Sequence, residues 1–363
     1  MCLSSVRLRM QFAYRKQRTA CVGTPIAMTR RSGRRAFGKS PLQEERVMKI
    51  LVYGAGNIGS LYAAKLNEAR NDVTLLSRGE YLHEIREHGI RLQDFHSGQK
   101  TTIRVRVVER LTAEDAYDLV LVILPRNRVS EVLPILAANR NTPSVMFFGN
   151  NAGGPEAMIK AIGRGRVLLG FPGASAVRCD EYIQYLILDR REQTTTIGEL
   201  EGTASKRIKA IATTLKDAGF PVSISRNMDA WLKTHAAEIS PTAGALYMAG
   251  GDIGKLKSNS EALVLMIRAI REGHRVLSSI GVPITPPIHK IFRWIPERLL
   301  FAITRRKLDA KAASIKIGHA SDARDEMKTL ANEFRDLVIQ SGIATPAIDQ
   351  LRPYLDDTNQ RVA

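Results

Sequence analysis

The sequence predicts an α/β chain: an N-terminal Rossmann-type doubly wound sheet followed by an all-helical C-terminal domain. Three observations predict it. An apolar run at 49–53 enters Gly54-Ala55-Gly56-Asn57-Ile58-Gly59 directly, and a helix-compatible run at 60–69 follows. Strand-like and helix-like segments then alternate up to about residue 224. Near Asp229 the pattern becomes helical and stays so to about Asp356.

The chain starts with a basic prefix. Residues 1–47 carry eleven Lys and Arg against Glu44 and Glu45, a net +9, half of the +18 of all 363 residues. The prefix has no strong periodicity and no apolar core of a secretory signal. It reads as upstream sequence from an early start codon, as a disordered basic arm, or as an Arg-rich, acid-poor targeting segment. The fold is expected from Met48 onward. No recognition motif accompanies the charge, so nucleic acid is not expected as a partner.

The first strand and its glycines form a dinucleotide-binding turn. Gly54 permits the tight turn, Gly56 lets backbone approach a pyrophosphate, and Gly59 lets the helix pack on the strand. Asn57 and Ile58 open the helix, whose free N–H groups and partial positive charge face the phosphates. The second strand, 72–76, ends in Ser77-Arg78 with no carboxylate at its tip. A carboxylate there would bind a ribose hydroxyl and repel a 2′-phosphate, whereas Arg78 can pair with that phosphate and Ser77 can donate to it. NADP(H) is therefore expected over NAD(H), with Glu80 as the nearest competing acid.

Further strands are expected at 101–108, 118–124, 144–148 and 166–170, with helices at 80–88 and 127–138 between them. The nearly all-apolar run at 118–124 suits a central strand buried on both faces. Pieces at 182–188, 194–198 and 221–225 could extend the sheet in a hairpin-like way. Phe148-Gly149-Asn150-Asn151-Ala152-Gly153 follows a buried strand, so its amides face either a ligand crevice or simply a turn. The organisation expected is a cofactor domain at 48–224, a helical substrate or dimerisation domain at 225–356 and a tail at 357–363. Long amphipathic segments at 260–280 and 322–341 end at Gly281-Val282-Pro283 and Gly342-Ile343-Ala344-Thr345-Pro346, as helices stop. Lys233, just past the domain junction and beside Trp231, is placed for a cleft as a proton donor, although most such lysines lie on a helix surface.

Hydrophobic content of 44% and charged content of 25% are ordinary for a globular protein. No apolar run approaches the ~20 residues of a membrane helix, so no membrane partner is expected. Cys2, Cys21 and Cys179 show no metal-ligand spacing and no disulfide framework. A cytoplasmic setting is the expectation.

Taken together, residues 48–352 resemble the ketopantoate reductase (2-dehydropantoate 2-reductase) family. Four landmarks stand in the family's order: the glycine motif, the loop Asn150-Asn151-Ala152-Gly153, Trp231-Leu232-Lys233, and Ser314 twelve residues before Glu326 with its Gly342–Pro346 stop. The resemblance implies NADPH-dependent reduction of a 2-oxo acid, with 2-dehydropantoate as the named substrate. It implies Lys233 as general acid, Glu326 as the carboxylate that binds a substrate hydroxyl and orients the lysine, Asn150 as an amide touching cofactor and substrate, and Ser314 as a hydroxyl for the substrate carboxylate. A homodimer is left open. The chain departs from the family at Ala237 and Ser240, where the family has Asn, and at Pro125, where the family has a cofactor-side Lys. Arg126 or Arg128 could substitute for that lysine. Lys316-Ile317-Gly318 replaces the family's usual polar pair. A related hydroxy-acid or opine-like dehydrogenase, or a non-catalytic NADP(H) sensor, are the alternatives.

Overall fold

The structure, a computed structural model, describes residues 47–308, 313, 315 and 323–356. The prefix up to residue 46, Ser314, Lys316-Ile317-Gly318, Asp322 and the tail 357–363 lie outside the described residues.

The first half is built on strands. It runs β1 (Lys49–Tyr53), α1 (Asn57–Glu68), β2 (Asp72–Leu76), α2 (Glu80–His88), β3 (Ile90–Asp94), β4 (Lys100–Ile103), β5 (Arg106–Val108) and β6 (Leu119–Val122). Then come α3 (Val129–Ala138), β7 (Val145–Phe148), α4 (Glu156–Ile162), β8 (Val167–Phe171), β9 (Ala174–Cys179), β10 (Tyr182–Ile187), β11 (Thr195–Glu199), α5 (Lys206–Asp217) and β12 (Val222–Ile224). The main sheet has the order β12-β11-β8-β7-β6-β1-β2-β5. From β8 to β5 it is parallel; β11 pairs antiparallel with β8. Every residue of β6 and β7 is buried, as a sheet covered on both faces requires. The strand order reverses between β1 and β6. Ligands of such sheets bind at that switch point, beyond the carboxyl ends of the strands.

Two expectations about strands need correction. The run 101–108 is two strands, β4 and β5, which join different sheets. Residues 182–188 do not extend the main sheet: β10 belongs to a second sheet of order β4-β3-β10-β9. Alternating side chains fix which face of a strand is buried, but not which strand it pairs with. The piece at 194–198 does extend the main sheet, as β11. The helix expected at 127–138 is a 3₁₀ turn, Arg126–Arg128, followed by α3.

The change from strands to helices falls between Ile224 and Met228. The second half contains α6 (Met228–Met248), α7 (Ile253–Ser258), α8 (Ser260–Ser279), α9 (Glu297–Lys307), α10 (Arg324–Ser341) and α11 (Pro346–Asp356). α6 packs against α8, α10 and α11 on one side and touches β8 and β11 on the other. The α6–α8 contact is close: a Cβ added at Gly273 would come within 2.9 Å of the Ala237 Cβ. Gly342, in the left-handed region at φ +66°, ends α10 at the stop the sequence predicts. No helix among the described residues is long and apolar enough to cross a membrane.

Candidate active site

The glycine turn has the geometry a pyrophosphate needs. Gly54 adopts φ +121°, and a Cβ there would stand 2.2 Å from the Ile123 carbonyl oxygen. A Cβ at Gly59 would stand 1.8 Å from the Gly54 carbonyl oxygen, so α1 can lie this close only with glycine. At Gly56 a Cβ would meet nothing within 4 Å; this glycine instead keeps the surface open to an incoming group. Gly56 caps α1 without any side-chain hydrogen bond, so the N–H groups at Asn57 and Ile58 remain directed at that opening. This cradle fits the phosphates of a dinucleotide.

At the tip of β2 the two candidate residues separate. Ser77 continues the pairing with the strand beside it, its N–H donating to the Val108 carbonyl at 3.0 Å, and this register buries it to 2% exposure. Its hydroxyl has no hydrogen-bond partner. Arg78 is exposed; its Nη2 donates to the Tyr53 hydroxyl at 3.2 Å and its Nε to the Glu109 carbonyl at 3.4 Å. The guanidinium is thus held between the ends of β1 and β5. Burial pushes the Tyr53 phenol up, while Arg78 pulls it the other way.

The loop after β7 meets α10. Asn150 Nδ2 donates to Glu326 Oε1 at 2.9 Å, and the Arg126 backbone N–H donates to the same oxygen at 3.2 Å. Glu326 is 8% exposed and Asn150 9%. The Asn150 Oδ1 atom has no partner. One helix face further along, Glu333 accepts from the Ala152 and Gly153 N–H groups at 2.9 and 3.0 Å. Arg126 Nε stands 2.6 Å from Glu333 Oε1 as an ion pair. The Arg126 guanidinium is therefore engaged by α10, on the helical side of the crevice. Glu333 was not singled out in the sequence. Its spacing of seven from Glu326, two turns along one helix face, was the available signal.

Lys233 lies in the second turn of α6. Asn227 starts this helix by accepting the Ala230 N–H at 2.9 Å. Lys233 Nζ donates to Asp229 Oδ2 at 2.6 Å; the side chains are 15% and 33% exposed. Asp229 borders the loop after β7, since a Cβ on Gly154 would lie 3.7 Å from Asp229 Oδ1. Lys233, through Asp229, and Glu326, through Asn150, thus flank the same loop at the carboxyl end of a central strand. Ser314 lies outside the described residues, and Arg128 pairs with Glu131 on the surface at 2.8 Å. Ala237 faces α8, and Ser240 is buried with an unpartnered hydroxyl.

Trp231 and His235 belong to another face of α6. Their rings stack at 5.4 Å, and both approach Phe171. A cavity of about 290 Å³ lies there, lined among others by Trp231, Thr234, His235, Glu238, Pro286 and His289. Lys233 does not line it. Among the described residues no group of three or more His, Cys, Asp or Glu could hold a metal ion.

Known proteins share this fold. Residues 50–202 match the family described as ketopantoate reductase PanE/ApbA. A 2-dehydropantoate 2-reductase of Halobacterium salinarum is 24% identical over 307 residues, covering 84% of this chain and 96% of that protein. One of Aquifex aeolicus is 24% identical over 310 residues, covering 83% and 93%. Among solved structures, D-mandelate dehydrogenase with NADH and anilino(oxo)acetate aligns with TM-score 0.66 at 17% identity, covering 85% of this chain and 97% of that one. Residues 50–202, which hold the glycine turn and the Asn150 loop, are thus similar to the ketopantoate reductase family, and curated 2-dehydropantoate 2-reductases align over most of the chain.

Proposed function

We propose that the protein reduces a 2-oxo acid to the 2-hydroxy acid with NADPH, and that 2-dehydropantoate, giving (R)-pantoate, is its substrate. The match of residues 50–202 to the ketopantoate reductase family and the similarity to 2-dehydropantoate 2-reductases support 2-oxo-acid reduction with a nicotinamide cofactor. What carries the reading in this chain is the contact of Glu326 with Asn150 at 2.9 Å, which joins two polar residues far apart in sequence at the mouth of β7.

The glycine turn and the α1 N-terminus would hold the pyrophosphate, and Arg78 the 2′-phosphate. The bound cofactor supplies hydride to the C2 carbonyl carbon. Lys233 Nζ stabilises the charge growing on the carbonyl oxygen and gives it a proton, leaving a neutral amine that solvent reprotonates. Glu326, fixed by Asn150 and the Arg126 N–H, accepts from a hydroxyl of the substrate. Asn150 Oδ1 remains as an acceptor for the cofactor side.

A second reading keeps the chemistry and changes the substrate. Ala237 packs on Gly273 and Ser240 is buried, so neither offers the amide that the family resemblance implies near the substrate. Another branched or aromatic 2-oxo acid is then the substrate. Following NADPH oxidation over a panel of 2-oxo acids decides between the two. Fastest turnover with 2-dehydropantoate supports the first, preference for another member supports the second, and no turnover with any of them overturns both.

A further inference from the structure

We propose that Asp229 is the positioning residue for Lys233, in the role that an amide one turn beyond the lysine cannot fill in this chain. The inference rests on the reading of Lys233 as general acid. Among the described residues, the ammonium's polar contact is with Asp229 Oδ2, at 2.6 Å. The position one turn beyond the lysine is Ala237, and Gly273 of α8 packs so near it that a single added carbon would already stand 2.9 Å away. A longer side chain at 237 has no room without moving α8. Support for the ammonium therefore comes from the preceding turn.

That direction suits the chemistry. Helical side chains lean toward the N-terminus, so Lys233 extends back along α6 toward its first turn. The first turn abuts the loop after β7 at Gly154, the same loop whose Asn150 binds Glu326. Asp229 Oδ2 holds the lysine, while Oδ1 is buried, has no hydrogen-bond partner and faces the Gly154 side. One carboxylate oxygen restrains the proton donor and the other lies against the loop that borders the reacting group. An i,i+4 acid–lysine pair contributes little to helix stability. The pair's effect is thus expected in catalysis rather than in folding.

The test uses the full chain, NADPH and the 2-oxo acid it turns over fastest. Asp229→Ala should lower kcat by about tenfold, the lower end of effects on acid catalysis. KM and the NADPH dissociation constant should stay within about threefold and the melting temperature should hardly move. Asp229→Glu should restore part of the rate. The double variant Asp229→Ala/Lys233→Ala should be no slower than Lys233→Ala alone. Wild-type kcat in Asp229→Ala, beside a crippled Lys233→Ala, would overturn the inference and leave the catalytic reading standing. So would additive losses in the double variant. A Lys233→Ala protein that turns over at the full rate overturns both.

Discussion

At Arg78 the choice between the two nicotinamide cofactors comes down to charge. The tip of β2 presents an exposed guanidinium held by Tyr53 and Glu109, and Ser77 beside it is buried. On the proposed reading, a preference for NADPH would rest on one cation, and a partly exposed contact with a phosphate would be worth about 1.4 kcal/mol, or tenfold in affinity. NADPH is expected to bind about tenfold more tightly than NADH, and Arg78→Ala should abolish most of that difference. Equal dissociation constants for both cofactors in the unaltered protein would contradict the assignment. The lysine is tested separately. Lys233→Ala should lower kcat by ~10²–10⁴, as loss of an acid–base group does, with NADPH binding almost unchanged. Glu326→Ala should raise KM and lower kcat together. The two losses should fall short of additive because both groups act on one substrate. Unchanged turnover in Lys233→Ala would remove Lys233 from the mechanism. The places of the glycine turn, Arg78 and Lys233 on their elements were legible from local sequence, because each depends on its own element. The Lys233–Asp229 spacing was visible too, but an i,i+4 pair looks the same on any helix surface. The burial of Ser77 was not legible, because the exposure of a strand-end residue depends on where β5 stops, which β2 does not encode.

Between elements, long-range polar contacts set how helices join the sheet. Glu199 at the end of β11 is 4% exposed and accepts from Ser205 Oγ at 2.5 Å and from Arg207 Nε and Nη2 at 2.8 and 2.5 Å. Ser205 in turn caps α5 by accepting the Ile208 N–H at 3.2 Å. Burial alone would push the Glu199 carboxyl up; Arg207 and Ser205 outweigh it and hold it below the usual 4.5. The folded value is the lower one, so the stabilisation is complete at neutral pH and is lost as pH falls below about 4.5 through the folded value. Glu199→Gln should cost about 1–3 kcal/mol at pH 7. Its melting temperature should then fall less steeply than the wild type's on acidification. Parallel curves below pH 4.5 would show that Glu199 does not titrate on unfolding. The elements themselves were mostly legible, since α2, α8 and the β1–α1–β2 unit follow from periodicity and glycine stops. The second sheet was not. β3 alternates Ile90-Arg91-Leu92-Gln93 as any half-buried strand does, and its partners β4 and β10 are set by tertiary packing. The break at Arg104-Val105 that sends β4 and β5 to different sheets carries no Gly or Pro to mark it.

On the scale of the whole molecule, α10 fastens the helical half to the crevice of the sheet. Glu326 and Glu333 lie two turns apart on one face and reach two different strand ends, the turn after β6 and the loop after β7. Glu333 serves three groups, accepting hydrogen bonds from the Ala152 and Gly153 N–H groups and pairing with the Arg126 guanidinium, with Arg126 and Glu333 only 13% and 18% exposed. Glu333→Ala would leave a largely buried cation and the buried Ala152 N–H without their partner, a loss of about 2–4 kcal/mol. The melting temperature should fall by several degrees. Asn150 is two residues from Ala152, so slack in the loop should also loosen its contact with Glu326. The kcat/KM for the 2-oxo acid should drop, while NADPH affinity should change little, because the glycine turn and Arg78 belong to β1 and β2. Glu333→Gln keeps an acceptor for the loop N–H groups but loses the charge facing Arg126, and should fall between the wild type and Glu333→Ala in both measurements. Wild-type stability and kcat/KM in Glu333→Ala would mean that packing of α6 against β8 and β11 holds the two halves together unaided.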